Sequence, residues 1–165
     1  MMAKRARPRI VAIDSNTMVF GFRKQGTKQQ LEKAANLLAE LDEEGVQIII
    51  PSVALSEYLI PISAKKHNEV IAQLSKRYII APFDAKCATV AARLFAIGRQ
   101  QRGAGKENVR KTLRADSLII ATASVHGAME FYSDDDDCRR LASHVPRLTA
   151  KELPAIAHSL FAIKA

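Results

Sequence analysis

Asp14 stands one residue past the apolar run RIVAI (9–13), and Glu57 lies inside the apolar stretch PSVALSEYLI. Asp116 opens the apolar segment ADSLIIATASVH, and FYSDDDDCRRL (131–141) sets four consecutive aspartates behind an apolar pair. A carboxylate in apolar surroundings is costly without a partner, and like charges this close repel unless water, arginines or a divalent cation offset them. Carboxylates that converge without matching cysteines or histidines make an oxygen-rich set, which suits Mg²⁺ or Mn²⁺ and not Zn²⁺. A divalent cation, rather than an arginine bundle, is therefore the expected offset for part of the aspartate run. Within that run Ser133 and Asp135 share an orientation while the chain stays extended. Asp135 is the favoured site acid, with Asp137 as a helper or cap.

Each acid also has a plain structural role open to it. Asp14 could shape a turn, Glu57 could be a solvated helix position, Asp116 could favour a helix start, and 134–137 could be a solvated loop with an N-cap. What argues for chemistry is their joint placement, and that depends on the elements that carry them.

The chain reads as alternating strands and helices. RIVAI at 9–13 is a buried parallel strand ended by the turn formers Asp14, Ser15 and Asn16. Thr27 with Gln30 resembles a capping box, followed by Leu31, Ala34, Leu38 and Leu41 at helical spacing and stopped by Gly45. VQIII at 46–50 is the second strand, and Pro51 and Ser52 open a short helix that Pro61 ends. A helix from Ser63 to about Lys76, a strand YIIAPF (78–83) and a helix capped by Asp84 follow. The segment 98–114 carries Arg99, Arg102, Lys106, Arg110, Lys111 and Arg114 with three glycines, and reads as a mobile cationic loop leading into the Asp116 helix. AMEFY (128–132) is a fourth strand, VPRL (145–148) a fifth, and Thr149 caps a last helix. Such alternation predicts an α/β fold, a parallel sheet with helices on both faces. Ligands of these folds bind outside the carboxyl ends of the strands. If the first and fourth strands are neighbours, Asp14 and the aspartate run share one edge.

The bulk properties fit one active face on one domain. The chain has 165 residues, enough for one domain with a real core. Residues 1–8, with Lys4, Arg5 and Arg7, read as a flexible basic arm before a single domain over 9–165. Lys plus Arg outnumber Asp plus Glu by 25 to 17, a net charge of +8 that favours polyanions such as nucleic acid. Cys87 and Cys138 lie in no C-x-x-C and have no histidines at metal-ligand spacing, so both read as reduced thiols. No apolar run reaches a signal peptide's core or the ~18 residues of a membrane span. A cytoplasmic protein with no membrane contact is expected.

At this point the residues resemble a family. IVAIDSN (10–16), SEYL (56–59), RADSLIIATA (114–123) and FYSDDDD (131–137) are similar to the PIN domain, including ribonuclease toxins of the VapC type. The ordered set of D, E, D and S-x-D carries the resemblance, which runs from about Arg9 to Thr149. It implies a three-layer α/β/α fold around a parallel sheet of about five strands. It also implies a metal-dependent endoribonuclease acting on single-stranded RNA, as the toxin of a toxin-antitoxin pair, with a cognate antitoxin and a homodimer as partners. By that resemblance Asp14, Glu57, Asp116 and Asp135 are the catalytic acids with Ser133. They hold Mg²⁺ or Mn²⁺ together with Asp137, while Asn16, Arg102, Lys106, Arg110, Lys111 and Arg114 meet the RNA. The segment 98–114 departs from the more compact toxins.

Two other functions stay open. A phosphatase of the haloacid dehalogenase type would use DSNT (14–17), but Asn16 stands where that chemistry needs a second aspartate, and an amide cannot donate the proton. A non-catalytic module would bind RNA on the basic surface and hold a structural ion in the acids.

Overall fold

A computed structural model of the chain describes residues 8–102 and 107–155, with Arg102 and Asn108 described in backbone only. The basic arm and Lys106 fall outside the described residues, apart from Pro8. Strands β1 (Ile10–Ile13), β2 (Gln47–Pro51), β3 (Ile79–Ala81), β4 (Glu130–Tyr132) and β5 (Thr149–Lys151) form one sheet in the order β3-β2-β1-β4-β5. All the pairings are parallel. β1 is therefore central, with the chain moving outward through β2 and β3 on one side and through β4 and β5 on the other. The crevice between β1 and β4 is the topological switch point, where such sheets open to bind ligands.

Seven α-helices complete the described fold: α1 (Ser15–Met18), α2 (Lys28–Glu43), α3 (Ser52–Leu59), α4 (His67–Leu74), α5 (Ala85–Arg102), α6 (Glu107–Val125) and α7 (Asp136–Ala142). A π-helical stretch, Val19–Arg23, continues α1, and a 3₁₀ turn, Ala64–Lys66, precedes α4. α2 starts at the predicted capping box, in which Thr27 and Gln30 satisfy each other's backbone N–H groups. It ends where Gly45 takes φ 64°, a conformation open to glycine at little cost. Between these ends Ala34, Leu37 and Leu41 are buried against the sheet.

The centre of the core is apolar on both sides of the sheet. Val11, Ala12, Ile13, Ile50, Phe131 and Ile120 are fully buried. Strands covered on both faces read as continuous apolar runs, as RIVAI and VQIII do. At the opposite end from the site, Glu130 accepts from Arg9 at 2.8 and 2.9 Å and from Lys151 Nζ at 3.0 Å. This network ties three strands together and holds the Glu130 carboxyl down at about 2.

The structure corrects the sequence reading at three places. The expected cationic loop is helical wherever it is described, because α5 runs on to Arg102 and α6 begins at Glu107. Gly98 marks this: a Cβ there would lie 2.3 Å from Leu113 Cδ1, so the glycine serves close helix packing and not a loop. The fifth strand is Thr149–Lys151, one step beyond VPRL, which forms the turn into it with Arg147 at φ 66°. Thr149 accordingly begins a strand and caps no helix; residues 156–165 lie outside the described residues. Short polar stretches hide these details, since a three-residue strand has almost no period to read.

Candidate active site

The site begins with the pairing of β1 and β4. Ile13 lies opposite Tyr132, so Asp14 and Ser133 leave the sheet side by side at its carboxyl edge. Asp14 caps α1, accepting from the Thr17 N–H at 2.7 Å. Its side chain is almost wholly buried, and burial pushes its pKa up. Contacts from Ser133 and Thr17 pull it back toward the charged form, and the nearby Asp135 adds to the rise. Ser133 is buried, and its hydroxyl accepts from the Asp135 N–H at 3.1 Å. Ser133 thus sits between two acids of the site.

Asp14, Ser15, Asn16, Glu57, Lys111, Thr112, Ala115, Asp116, Ile119, Asp135 and Cys138 line one pocket of about 350 Å³. α3 brings in Glu57 and α7 brings in Asp135. α6 brings in Thr112, Ala115, Asp116 and Ile119, spaced to fall along one helical face. Glu57, Asp116 and Asp135 are each half-buried. Asp116 Oδ2 itself is screened from solvent. Among the described residues, no three of the pocket's acids bring ligand oxygens within 4.8 Å of one another.

The four aspartates of the run divide their roles. Asp135 lines the pocket and caps α7, accepting from the Cys138 N–H at 2.9 Å. Asp134 accepts from Gln30 Nε2 at 3.2 Å. Asp136 pairs with Arg139, and Asp137 with Arg140 at 2.9 Å. Arg139 also donates to the Ser133 carbonyl at 2.7 Å. Arginines one turn along α7 thus offset two of the acids, where the sequence reading expects a divalent cation rather than arginines to offset part of the run. The cap is Asp135 and not Asp137, which faces a different surface hollow with Gln101 and Arg140.

The expected RNA contacts are divided by helical phase. Asn16 and Lys111 line the pocket, and Lys111 also pairs with Glu107 at 3.1 Å. Arg114 lies over the Phe95 ring at 5.7 Å, turned toward α5. Arg110 is exposed on α6 outside the pocket lining. Reading 98–114 as a loop hid this sorting. It also hid Thr112, which helical spacing from Asp116 would have found, while Ala115 and Ile119, on the expected Asp116 helix, are pocket residues that the sequence reading did not single out. Cys138 is the other omission. Burial, with Asp116 and Asp14 nearby, holds its thiol well above the ordinary value. The remaining donor set is carboxylate oxygen with neighbouring hydroxyl and amide oxygens, which fits a hard divalent cation.

Residues 11–143 match the PIN domain. The chain belongs to that family. PIN domains are in general nucleases, hydrolases of the phosphodiester bond. The three-layer architecture agrees with solved structures. VapBC2 from Rickettsia felis, bound to a DNA fragment from its promoter, aligns at a TM-score of 0.61 and 20% identity, covering 88% of this chain and 99% of that one. FitAcB from Neisseria gonorrhoeae aligns at 0.56 and 18% identity, covering 85% and 95%. A toxin-antitoxin complex from Klebsiella pneumoniae aligns at 0.53 and 16% identity, covering 84% and 95%. No curated protein matches the sequence. No helix of the described residues in this PIN domain is long and apolar enough to cross a membrane.

Proposed function

We propose that this PIN domain is a metal-dependent endoribonuclease that cleaves single-stranded RNA, the toxin of a toxin-antitoxin pair. The observation that carries the reading is the meeting of Asp14, Glu57, Asp116 and Asp135, from four separate elements, around one pocket at the β1/β4 switch point. Asp14, Glu57, Asp116 and Asp135 would hold Mg²⁺ or Mn²⁺. When bound, such an ion lowers the pKa of water and offsets charge developing on the phosphodiester. Ser133 positions Asp14 and Asp135 from beneath, while Asn16 and Lys111 steer the strand at the rim. Asp137, paired with Arg140 and outside the pocket lining, is not among the ligands in this reading. The net charge of +8 suits a polyanionic substrate, which the acids alone would repel.

The antitoxin partner rests on the structural neighbours, one of which is a toxin-antitoxin complex. Membership of the PIN family leaves the phosphatase alternative without support. The test is cleavage of an end-labelled single-stranded RNA with Mg²⁺ or Mn²⁺, using Asp14→Asn as control. Metal-dependent internal cuts that vanish in the variant are expected. Binding of RNA without any cut, in wild type and variant alike, would point to the non-catalytic module.

A further inference from the structure

A second group of metal-ligand atoms lies away from the pocket. α5 and α6 pack as a helical hairpin, so the start of α5 meets the end of α6. There a carboxylate oxygen of Asp84, Sγ of Cys87 and a ring nitrogen of His126 lie within 4.8 Å of one another. Asp116 and His126 are ten positions apart, about 15 Å along a helix. The two sites are thus separate.

The local contacts organise these three side chains. Asp84 caps α5 by accepting from the Cys87 N–H at 3.0 Å, which places the carboxylate beside the thiol. His126 Nε2 lies 2.8 Å from the Pro82 carbonyl, and Cys87 Sγ lies 3.8 Å from the same oxygen. A carbonyl can only accept, so Nε2 carries its proton and the neutral ring has its lone pair on Nδ1. Ring orientation by a backbone carbonyl is the arrangement that metal-ligating histidines use. Cys87 is buried, His126 half-buried and Asp84 exposed, so the group opens to solvent on the carboxylate side.

We infer that Asp84, Cys87 and His126 form a site for Zn²⁺ or a similar thiophilic divalent cation, distinct from the carboxylate pocket. Sulfur, nitrogen and oxygen donors together select a borderline ion over Mg²⁺. Three protein ligands leave a fourth position for water. On binding, the Cys87 S–H bond gives its proton to solvent and the sulfur electron pair goes to the ion, so one proton leaves per ion bound. The ion would clamp the hairpin whose second helix carries Asp116.

The experiment uses the full chain carrying Asp14→Asn and Asp116→Asn, which weakens the pocket as a competitor, in excess Mg²⁺ and under reducing conditions. Co²⁺ is titrated as the spectroscopic probe and then displaced by Zn²⁺. One equivalent should give a sulfur-to-cobalt charge-transfer band, release one proton and raise the melting temperature. Cys87→Ser should abolish the band. His126→Gln keeps an N–H for the Pro82 carbonyl but lacks the Nδ1 lone pair. It should therefore retain the metal-free melting temperature and bind more weakly by at least the ~10–100-fold that loss of an outer partner costs. Absence of the band, its survival in Cys87→Ser, or unchanged affinity in His126→Gln would overturn the site.

Discussion

The backbone N–H of Asp14 donates to the carbonyl of Tyr132 at 3.3 Å, carrying the β1/β4 ladder one residue past the strands. That bond fixes where the Asp14 side chain leaves the sheet, beside Ser133 and facing the acids from α3, α6 and α7. Asp14 and Asp135 are each held by a backbone N–H, of Thr17 and of Cys138, before any ligand arrives. Preorganised charge of this kind needs no rearrangement when it acts.

Mg²⁺ or Mn²⁺ should raise the melting temperature of the wild-type protein, by mass action worth about 2.7 kcal/mol at a hundredfold excess over Kd. The combined change Asp14→Asn, Asp116→Asn and Asp135→Asn should remove that response. Scanning calorimetry with and without metal measures it. A shift that persists in the triple variant would put the ion elsewhere.

The aspartate run should divide sharply under mutation. Asp135→Asn keeps a capping side chain for α7, since asparagine caps as well as aspartate. It should nonetheless slow cleavage by about 10²-fold or more through loss of charge at the pocket. Asp136→Asn and Asp137→Asn, each paired with an arginine at the surface, should stay within about 0.5 kcal/mol of wild type in stability and leave the rate near wild type. Single-turnover RNA cleavage compares the three. Equal losses at Asp136 and Asp135 would contradict the division.

RNA affinity should fall with salt, and Lys111→Ala should reduce the slope by about 0.7, one single-strand phosphate's share. Arg114→Ala should change that slope less, because its guanidinium lies on Phe95. Its cost should appear in stability, about 0.5–1 kcal/mol for the lost ring contact. Filter binding across a salt series, with thermal melts beside it, separates the two side chains.

Acid stability should depend on Glu130. Hydrogen bonds from Arg9, with those of Lys151, hold its carboxyl at about 2, below the ordinary 4.5. A depressed carboxyl stabilises the fold above its unfolded pKa and loses that contribution as pH falls through its folded pKa. The loss should therefore run from about 4.5 down to about 2. Glu130→Gln should cost about 1.5–3 kcal/mol at neutral pH, the range for hydrogen bonds to charged groups. The variant should lose less than wild type across the acid window. Urea melts at several pH values give both figures, and parallel curves would rule the network out as the source.

The sequence by itself determined the parallel class of the sheet and the place of Asp14 at its carboxyl edge. Short, β-branched apolar runs such as RIVAI and VQIII, bounded by turn formers, read as covered strands, and alternation with helices makes a parallel sheet whose carboxyl edge receives Asp14. Capping at Thr27, Gly45 and Asp84 was legible for the same reason, because a cap is a local bargain between a side chain and the nearest N–H groups. Tertiary structure decided what local pattern cannot carry. Gly98 and the basic residues around it look like a loop until Leu113 packs against that glycine, and only then does helical phase send Lys111 toward the pocket and Arg114 toward Phe95. The aspartate run was equally ambiguous. Which acid faces the pocket depends on where α7 begins, and that is set by the Asp135 cap and by Arg139 and Arg140 one turn on. Asp84, Cys87 and His126 are far apart in sequence and meet only because two long helices fold back on each other.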